Sequence, residues 1–569
     1  MNYSFENPWI KEREATVCAW KIDQNRGYIT NMDSSLFVDF MSFSNRQLGE
    51  YVKMMKACGF TGIQVTDMCS AWRPSGSWES VHDKYRVLAD ELHKNGMKFT
   101  VWCWAAEFSA HGWHDDDVAY NNADPTKGAY DDPKVFAAMD RYYDIYADLA
   151  DCADRVIAHF FDPGNIRDVP SILKFARLLF DKFRAKNPSI KIGIDTWGSP
   201  DSFPEDLVAA GFDDIMLMEL PFLPAWRKEG KRAHFREGVK KLGCELGSWG
   251  WYTCEYEIDQ RPMMCVNNRV LADVYAQTRE QADHVMIPTY WSEMDSYHVL
   301  NFFSMYASGH LLADPTADPD ALLRESAALV VGEDRADEFN SVLEVIRDAR
   351  SGDDWRTYWW QDGPYVLDIA DHRAILDRAD KAIMTLEGLI ADKSVKNTVA
   401  LPVTANQMLR LIMPHLWQIK KYAEFCIAFE ELEAMNKGDR LALQRKVDSL
   451  PFEIPEYNCV IGLWGQTEAR QAYSKVRDFC LKNDLIVPDR GPTKYVYKHR
   501  LFQHLCVFQR GKREQVFVDP NYYEGGYAFG FTQTVEMVSE LVDEGVFVRD
   551  GEGRVALRDW QNYMFDFVV

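Results

Sequence analysis

No stretch of this chain approaches the run of about 20 apolar residues that crosses a bilayer. Positive charge is also scarce: 64 Lys and Arg against 87 Asp and Glu leave a formal net charge of −23. That balance disfavours nucleic acid and anionic membrane surfaces, since both demand clustered Lys and Arg. Histidine is rarer still, at 13 in 569 residues. None falls in the expected first strand, so the His-x-His of a metal-dependent barrel hydrolase is missing. A lone strand histidine, His159, reads as a core group rather than a ligand, and no metal or other cofactor is expected. GxSxG elbows, Walker loops and GxGxxG turns opening a helix are absent, which removes support for acyl transfer, nucleotide hydrolysis and dinucleotide redox chemistry. The 12 cysteines have neither metal-ligand pairing nor regular spacing, so reduced, buried thiols are expected in place of disulfides. The first residues, MNYSFENPWIKERE, lack a basic region leading into an apolar core, and a cytoplasmic location is expected.

What the chain does have is one small pattern, repeated. Between Gly59 and Asn301, short apolar runs end abruptly in an acid or an indole and are followed by helical periodicity. The runs end at Asp67 (GIQVTD), Glu107 (FTVWCWAAE), Asp162 (VIAHFFD), Asp195 (IKIGID), Glu219 (IMLME), the cluster from Trp249 to Glu257, and the stretch from Tyr290 to Asp295. Buried parallel strands read as continuous apolar runs, and strands alternating with helices at this rhythm imply parallel pairing through right-handed crossovers. About eight such units in roughly 290 residues fit a closed (β/α)8 TIM barrel better than an open sheet. The first strand is expected over 16–22, and helices from Asn45, over 84–94, 133–152, 170–186, 204–210 and 268–282.

With 47% hydrophobic residues the chain is long enough for two or three cores. Residues 1–332 are assigned to the barrel and 333–450 to a helical region, where stripes such as Leu409, Ile412, Leu416 and Ile419 mark packing faces. Residues 451–569 are assigned to a small C-terminal α+β domain, with strands expected in YVYKHRLFQHLCVFQ and EQVFVDP and a helix plus hairpin turning at Asp550-Gly551. It is read as an accessory domain supporting the barrel or a homo-oligomer contact.

In alternating barrels chemistry sits where the strands end. Taken singly, an acid there is also a good helix cap. The company of tryptophans at the same face points instead to a carbohydrate, held by flat aromatic faces with carboxylates at the hydroxyl edge. The candidate binding residues are Asp67, Trp72, Trp104, Trp197, Trp249, Trp251, Tyr252, Tyr290, Trp291 and Glu293. Glycosidic hydrolysis takes two carboxyl groups, one to protonate the leaving oxygen and one to attack or activate water. Asp162 is the first choice for the acid: two phenylalanines precede it, and apolar walls disfavour the charged form. Its partner is Glu219, Asp195 or Glu107, in that order. The rival readings are a non-catalytic carbohydrate-binding barrel and a sugar lyase or isomerase.

The segment HLLADPTADPDALLRESAALVVG, His310 to Gly332, resembles one that follows the barrel in α-glucuronidases and related barrel glycosidases of hexosaminidase-like architecture. Its reading is local: Asp318 caps a helix, Pro319 takes its first position, and Ala321, Leu322 and Leu323 form a buried stripe. FFDPGN after strand four is similar to that superfamily, and the resemblance implies a barrel hydrolase with a proton donor on strand four. No Asp-Glu pair ends that strand, because Pro163 follows Asp162, which speaks against N-acetyl-assisted catalysis. Basic residues suited to a glucuronate carboxylate are also unmatched.

Overall fold

The computed structural model describes residues 5–18, 43–66, 78–105, 133–160, 169–196, 199–212, 214–219, 237–239, 241, 243, 245–250, 266–282, 288–293, 299–349, 371–451, 465–488, 498, 501–502, 505, 509, 514–519 and 534–563. Eight parallel strands close a barrel in chain order: β1 Glu12–Cys18, β2 Gly62–Thr66, β3 Lys98–Trp104, β4 Arg155–His159, β5 Lys191–Asp195, β6 Ile215–Glu219, β7 Glu245–Gly250 and β8 Tyr290–Glu293. Closure comes from β8 pairing with β1, Glu12 opposite Tyr290 through Ala15 opposite Glu293. All eight carboxyl ends therefore lie on one rim.

Between the strands run α1 Asn45–Ala57, α2 Trp78–Lys94, α3 Pro133–Tyr146, α4 Val169–Lys186, α5 Phe203–Ala209 and α6 Asn268–Ala282. Helix α1 shows why they form. Ser44 and Gln47 build a reciprocal capping box, and Leu48, Tyr51, Val52 and Met55 are buried at helical spacing. Gly59, at φ +89°, then turns the chain out of the helix in a backbone region that favours glycine. The helices α7 Phe302–Ala313, α8 Pro319–Val331 and α9 Ala336–Asp348 follow β8. Asp318 caps α8 through the backbone N–H of Asp320, with Pro319 in the first turn, as the sequence predicts. Leu322 and Leu323 are buried there, but Ala321 is exposed: it lies on the solvent side of the turn and drops out of the expected stripe.

Farther on, α10 His372–Ala391 packs along α11 Ala405–Ala434. Their buried residues join those of the barrel's helices in one continuous core. α12 Arg440–Asp448 and α13 Gly465–Lys482 continue the helical character. At the C-terminus, α14 Thr534–Asp543 leads into the hairpin β9 Phe547–Arg549 and β10 Val555–Leu557, with Asp550 and Gly551 in its turn. The strand expected over YVYKHRLFQHLCVFQ is a correction: its described residues, Lys498, Leu501, Phe502, Leu505 and Gln509, are helical. Leu501, Phe502, Leu505 and Gln509 are all buried, a three- and four-residue spacing that suits a helix face.

The first strand begins four residues earlier than its apolar signal, at Glu12 instead of Thr16. The reason lies inside the barrel, where the end away from the rim is polar. Glu14 is fully buried; its carboxylate accepts from Thr100 Oγ1 at 3.0 Å and from the Tyr290 hydroxyl at 2.7 Å. Arg155 donates to Glu12 Oε2 at 2.5 Å, lies 3.7 Å from Glu14 Oε1, and stacks its guanidinium 4.4 Å from the Tyr290 ring centroid. Burial pushes the Glu14 carboxyl up to about 7 against the pull of Arg155 and the two hydroxyls. A charged strand of this kind carries no apolar run to be recognised by.

Candidate functional site

Side chains along a strand alternate between the barrel interior and the helix layer. Arg155, Ile157 and His159 of β4 take the interior, while Val156 and Ala158 join the core under the helices. On β5 the interior positions are Gly193 and Asp195, and on β6 they are Met216 and Met218. Gly193 and Gly247 leave the room these methionines fill: a Cβ on Gly193 would sit 3.0 Å from Met216 Cε, and one on Gly247 would overlap Met218 Sδ.

At the rim end of this interior the structure brings together residues of three adjacent strands. His159 Nδ1 and Asp195 Oδ2 are in direct ion-pair contact across β4 and β5. Each residue is 1% exposed. The Trp102 ring of β3 meets the imidazole edge-on, with centroids 4.9 Å apart and planes at 64°. Backbone bonds stitch the strand ends around the pair: Ala105 N–H to His159 O at 2.9 Å, and Thr196 N–H to Met218 O at 2.9 Å. Tyr143 adds a 2.5 Å bond from its hydroxyl to Ala105 O. Across the interior, Thr16 of β1 and Ser292 of β8 are bonded through their hydroxyls.

Asp195 therefore lies at the rim end of the interior as expected, but as half of a pair. Glu219 ends β6 and is half-buried, on the same side as Ile215 and Leu217, which belong to the helix-layer core. By strand alternation this is the side away from the interior, and its carbonyl accepts from Ser248 Oγ at 3.1 Å. The three β8 candidates are corrections. Tyr290 is committed to the polar layer around Glu14. Trp291 and Glu293 face the helices: Glu293 Oε2 accepts from Tyr275 of α6 at 2.8 Å and from Trp291 Nε1 at 3.1 Å, and both residues are fully buried. Such a carboxylate holds α6 to the barrel and is unavailable to a ligand. Trp104 and Trp249 lie in β3 and β7 by their backbone. Asp67, Trp72, Glu107, Asp162, Trp197, Trp251 and Tyr252 lie outside the described residues.

His159 and Trp102 were not among the sequence-derived site residues. The signal that finds them is two-residue alternation read with the register: His159, one residue past the Ala158–Ile194 pair, falls beside Asp195, and Trp102, opposite Ile157, is the interior position of β3 one step away from the rim. Among the described residues no cluster of three or more His, Cys, Asp or Glu could hold a metal ion, and no helix is long and apolar enough to cross a membrane.

No protein-family model matches the chain, and no curated protein matches it. Solved structures similar in fold include a GH138 enzyme targeting pectin rhamnogalacturonan II, at 9% identity over 88% of this chain and 68% of that one, with a TM-score of 0.49. A GH115 4-O-methyl-α-glucuronidase with specificity for decorated arabinogalactans shares 11% identity over 87% of this chain and 62% of its own, at TM-score 0.45. CpGH84B shares 9% over 87% and 78%, at 0.43. The likeness to these structures is one of fold.

Proposed function

We propose that the protein is a glycoside hydrolase that releases terminal sugars from oligosaccharides or small glycosides, with Asp162 as its general acid. One observation carries the reading. Parallel closure gathers eight strand ends on one rim, and the sequence sets an acid at or just past five of them in succession. Asp67 follows β2 directly, Glu107 and Asp162 come three residues after β3 and β4, and Asp195 and Glu219 are the last residues of β5 and β6. A bound sugar needs one protonated and one ionised carboxyl on opposite sides of its anomeric carbon, and with Glu219 turned to the helix side the candidates for that pairing are Asp67, Glu107, Asp162 and Asp195.

The test is turnover of a panel of aryl glycosides and natural oligosaccharides by wild type and Asp162→Asn. Loss of a general acid lowers the rate by about 10²- to 10⁴-fold. Near-wild-type rates in the variant would reject the role of Asp162. Binding without product release from any member of the panel would reject hydrolysis itself.

A further inference from the structure

We infer that Glu14 of β1, Tyr290 of β8 and Gln64 of β2 form a proton-coupled switch across the closing seam of the barrel, in which the Tyr290 hydroxyl turns from Gln64 to Glu14 when Glu14 loses a proton. The geometry reduces to counting protons. Tyr290 Oη lies 2.7 Å from Glu14 Oε2 and 2.8 Å from Gln64 Oε1, both within hydrogen-bond range. A phenol has one proton to give, while an ionised carboxylate and an amide oxygen only accept. An ionised Glu14 takes that proton and leaves Gln64 Oε1 against a lone pair, at a place where all three residues are at most 1% exposed. A proton on Glu14 Oε2 resolves the conflict. Glu14 then donates to Tyr290, Tyr290 donates to Gln64, and Thr100 Oγ1 still donates to Glu14 Oε1 at 3.0 Å.

The surrounding charges favour this neutral form. Arg155 of β4 is 3.7 Å from Glu14 Oε1, but it donates to Glu12 Oε2 at 2.5 Å and lies 3.9 Å from Glu245 of β7. Lys191 of β5 also bonds Glu12, at 3.3 Å, and Lys98 of β3 is held by Asp154 at 3.0 Å. Arg155 and Lys191 thus serve Glu12, Glu14 and Glu245, and Glu14 is the acid removed from water: its side chain is 1% exposed against 32% for Glu12 and 35% for Glu245. Burial disfavours the charged form and pushes the Glu14 carboxyl up to about 7. It also raises the Tyr290 phenol well above its usual value, so the phenol keeps its proton while the carboxyl titrates. As pH rises through about 7, Glu14 ionises, Tyr290 turns to it, and Gln64 rotates its amide to offer Nε2 to the phenolic oxygen.

Infrared difference spectroscopy between about pH 5 and 9 reads the proton directly. Subtracting Glu14→Gln from wild type cancels the other carboxyls and leaves the C=O stretch of a protonated Glu14. The same subtraction in a Gln64→Met background reads what Gln64 contributes. The expected result is a band present near pH 5 and lost as pH rises through about 7. Its midpoint should fall by roughly half to one pH unit in Gln64→Met, because the lost acceptor had favoured the protonated form. If Nε2 of Gln64 donates to Tyr290 throughout and Glu14 stays ionised, the same change removes a donor that favoured the ionised form, and the midpoint moves the other way. A midpoint that stays or rises overturns the switch, as does the absence of the band from wild type near pH 5. The wild-type band decides whether Glu14 holds the proton should Gln64→Met fail to fold. No substrate enters the measurement, so its outcome is independent of the hydrolase reading.

Discussion

Replacing Glu14 by Gln should change the pH dependence of stability in a calculable way. The Glu14 carboxyl is held at about 7 in the folded protein, with burial the largest cause, against 4.5 for an ordinary glutamate. A raised folded value means that the native state binds the proton more tightly than the unfolded chain. The stabilising contribution is complete below about pH 4.5, declines as pH rises, and is lost once pH has passed about 7. A difference of about 2.5 units corresponds to roughly 3 kcal/mol between the two limits. Glutamine keeps an acceptor oxygen for one of the two hydroxyls, gives its amide N–H to the oxygen of the other, and does not ionise. Glu14→Gln should therefore match wild type near pH 4.5 and be more stable by up to about 3 kcal/mol at pH 8. Urea unfolding of both proteins between pH 4.5 and 8, followed by fluorescence, measures the difference directly and cancels the background from other groups. Parallel stability curves for the two proteins would refute the assignment of this titration to Glu14.

Arg155→Met should destabilise by about 3–5 kcal/mol in the same assay at pH 8, because it leaves Glu12 and Glu14 without their shared cation. Gly247→Ala should cost about 1–3 kcal/mol, seen as a lowered thermal midpoint, since its Cβ has no room beside Met218. Tyr275→Phe removes the hydroxyl bonded to Glu293 and Ser308. It should lower stability by about 1–3 kcal/mol while leaving kcat and KM for any glycoside at wild-type values, and a kinetic effect would return Trp291 and Glu293 to the site.

The barrel was legible wherever the helix-facing positions of a strand are aliphatic and sit within a short apolar run. RVIAH, KIGID and IMLME read directly as strands, and the 268–282 helix matches its expected bounds. Legibility failed at the start of β1, where Glu12, Arg13 and Glu14 put charge on both faces of the strand. KERE at the start of β1 looks like a surface segment, because nothing local shows that Glu12 and Glu14 meet an arginine more than 140 residues away. The site suffered a second confusion. A run of acids and aromatics such as YWSE reads as offering three ligand-facing residues, although alternation sends Trp291 and Glu293 to the helices and Tyr290 toward Glu14. The same alternation turns Glu219 from the interior, whereas Asp195 was found at the rim end of the interior by the run it ends. Pairing with His159 is a relation between strands, and only register reveals it.

The closure of β8 on β1 also sets a timetable for synthesis. The hydrogen-bond partner of Glu14, Tyr290, leaves the ribosome 276 residues after it. At roughly 5–20 residues per second the first strand waits on the order of 15 to 60 seconds for its second neighbour. During that interval β1 has one open edge, and its glutamates are what keep the edge soluble. The charges that disguise the strand in the sequence thus guard it against joining another chain before its own is finished.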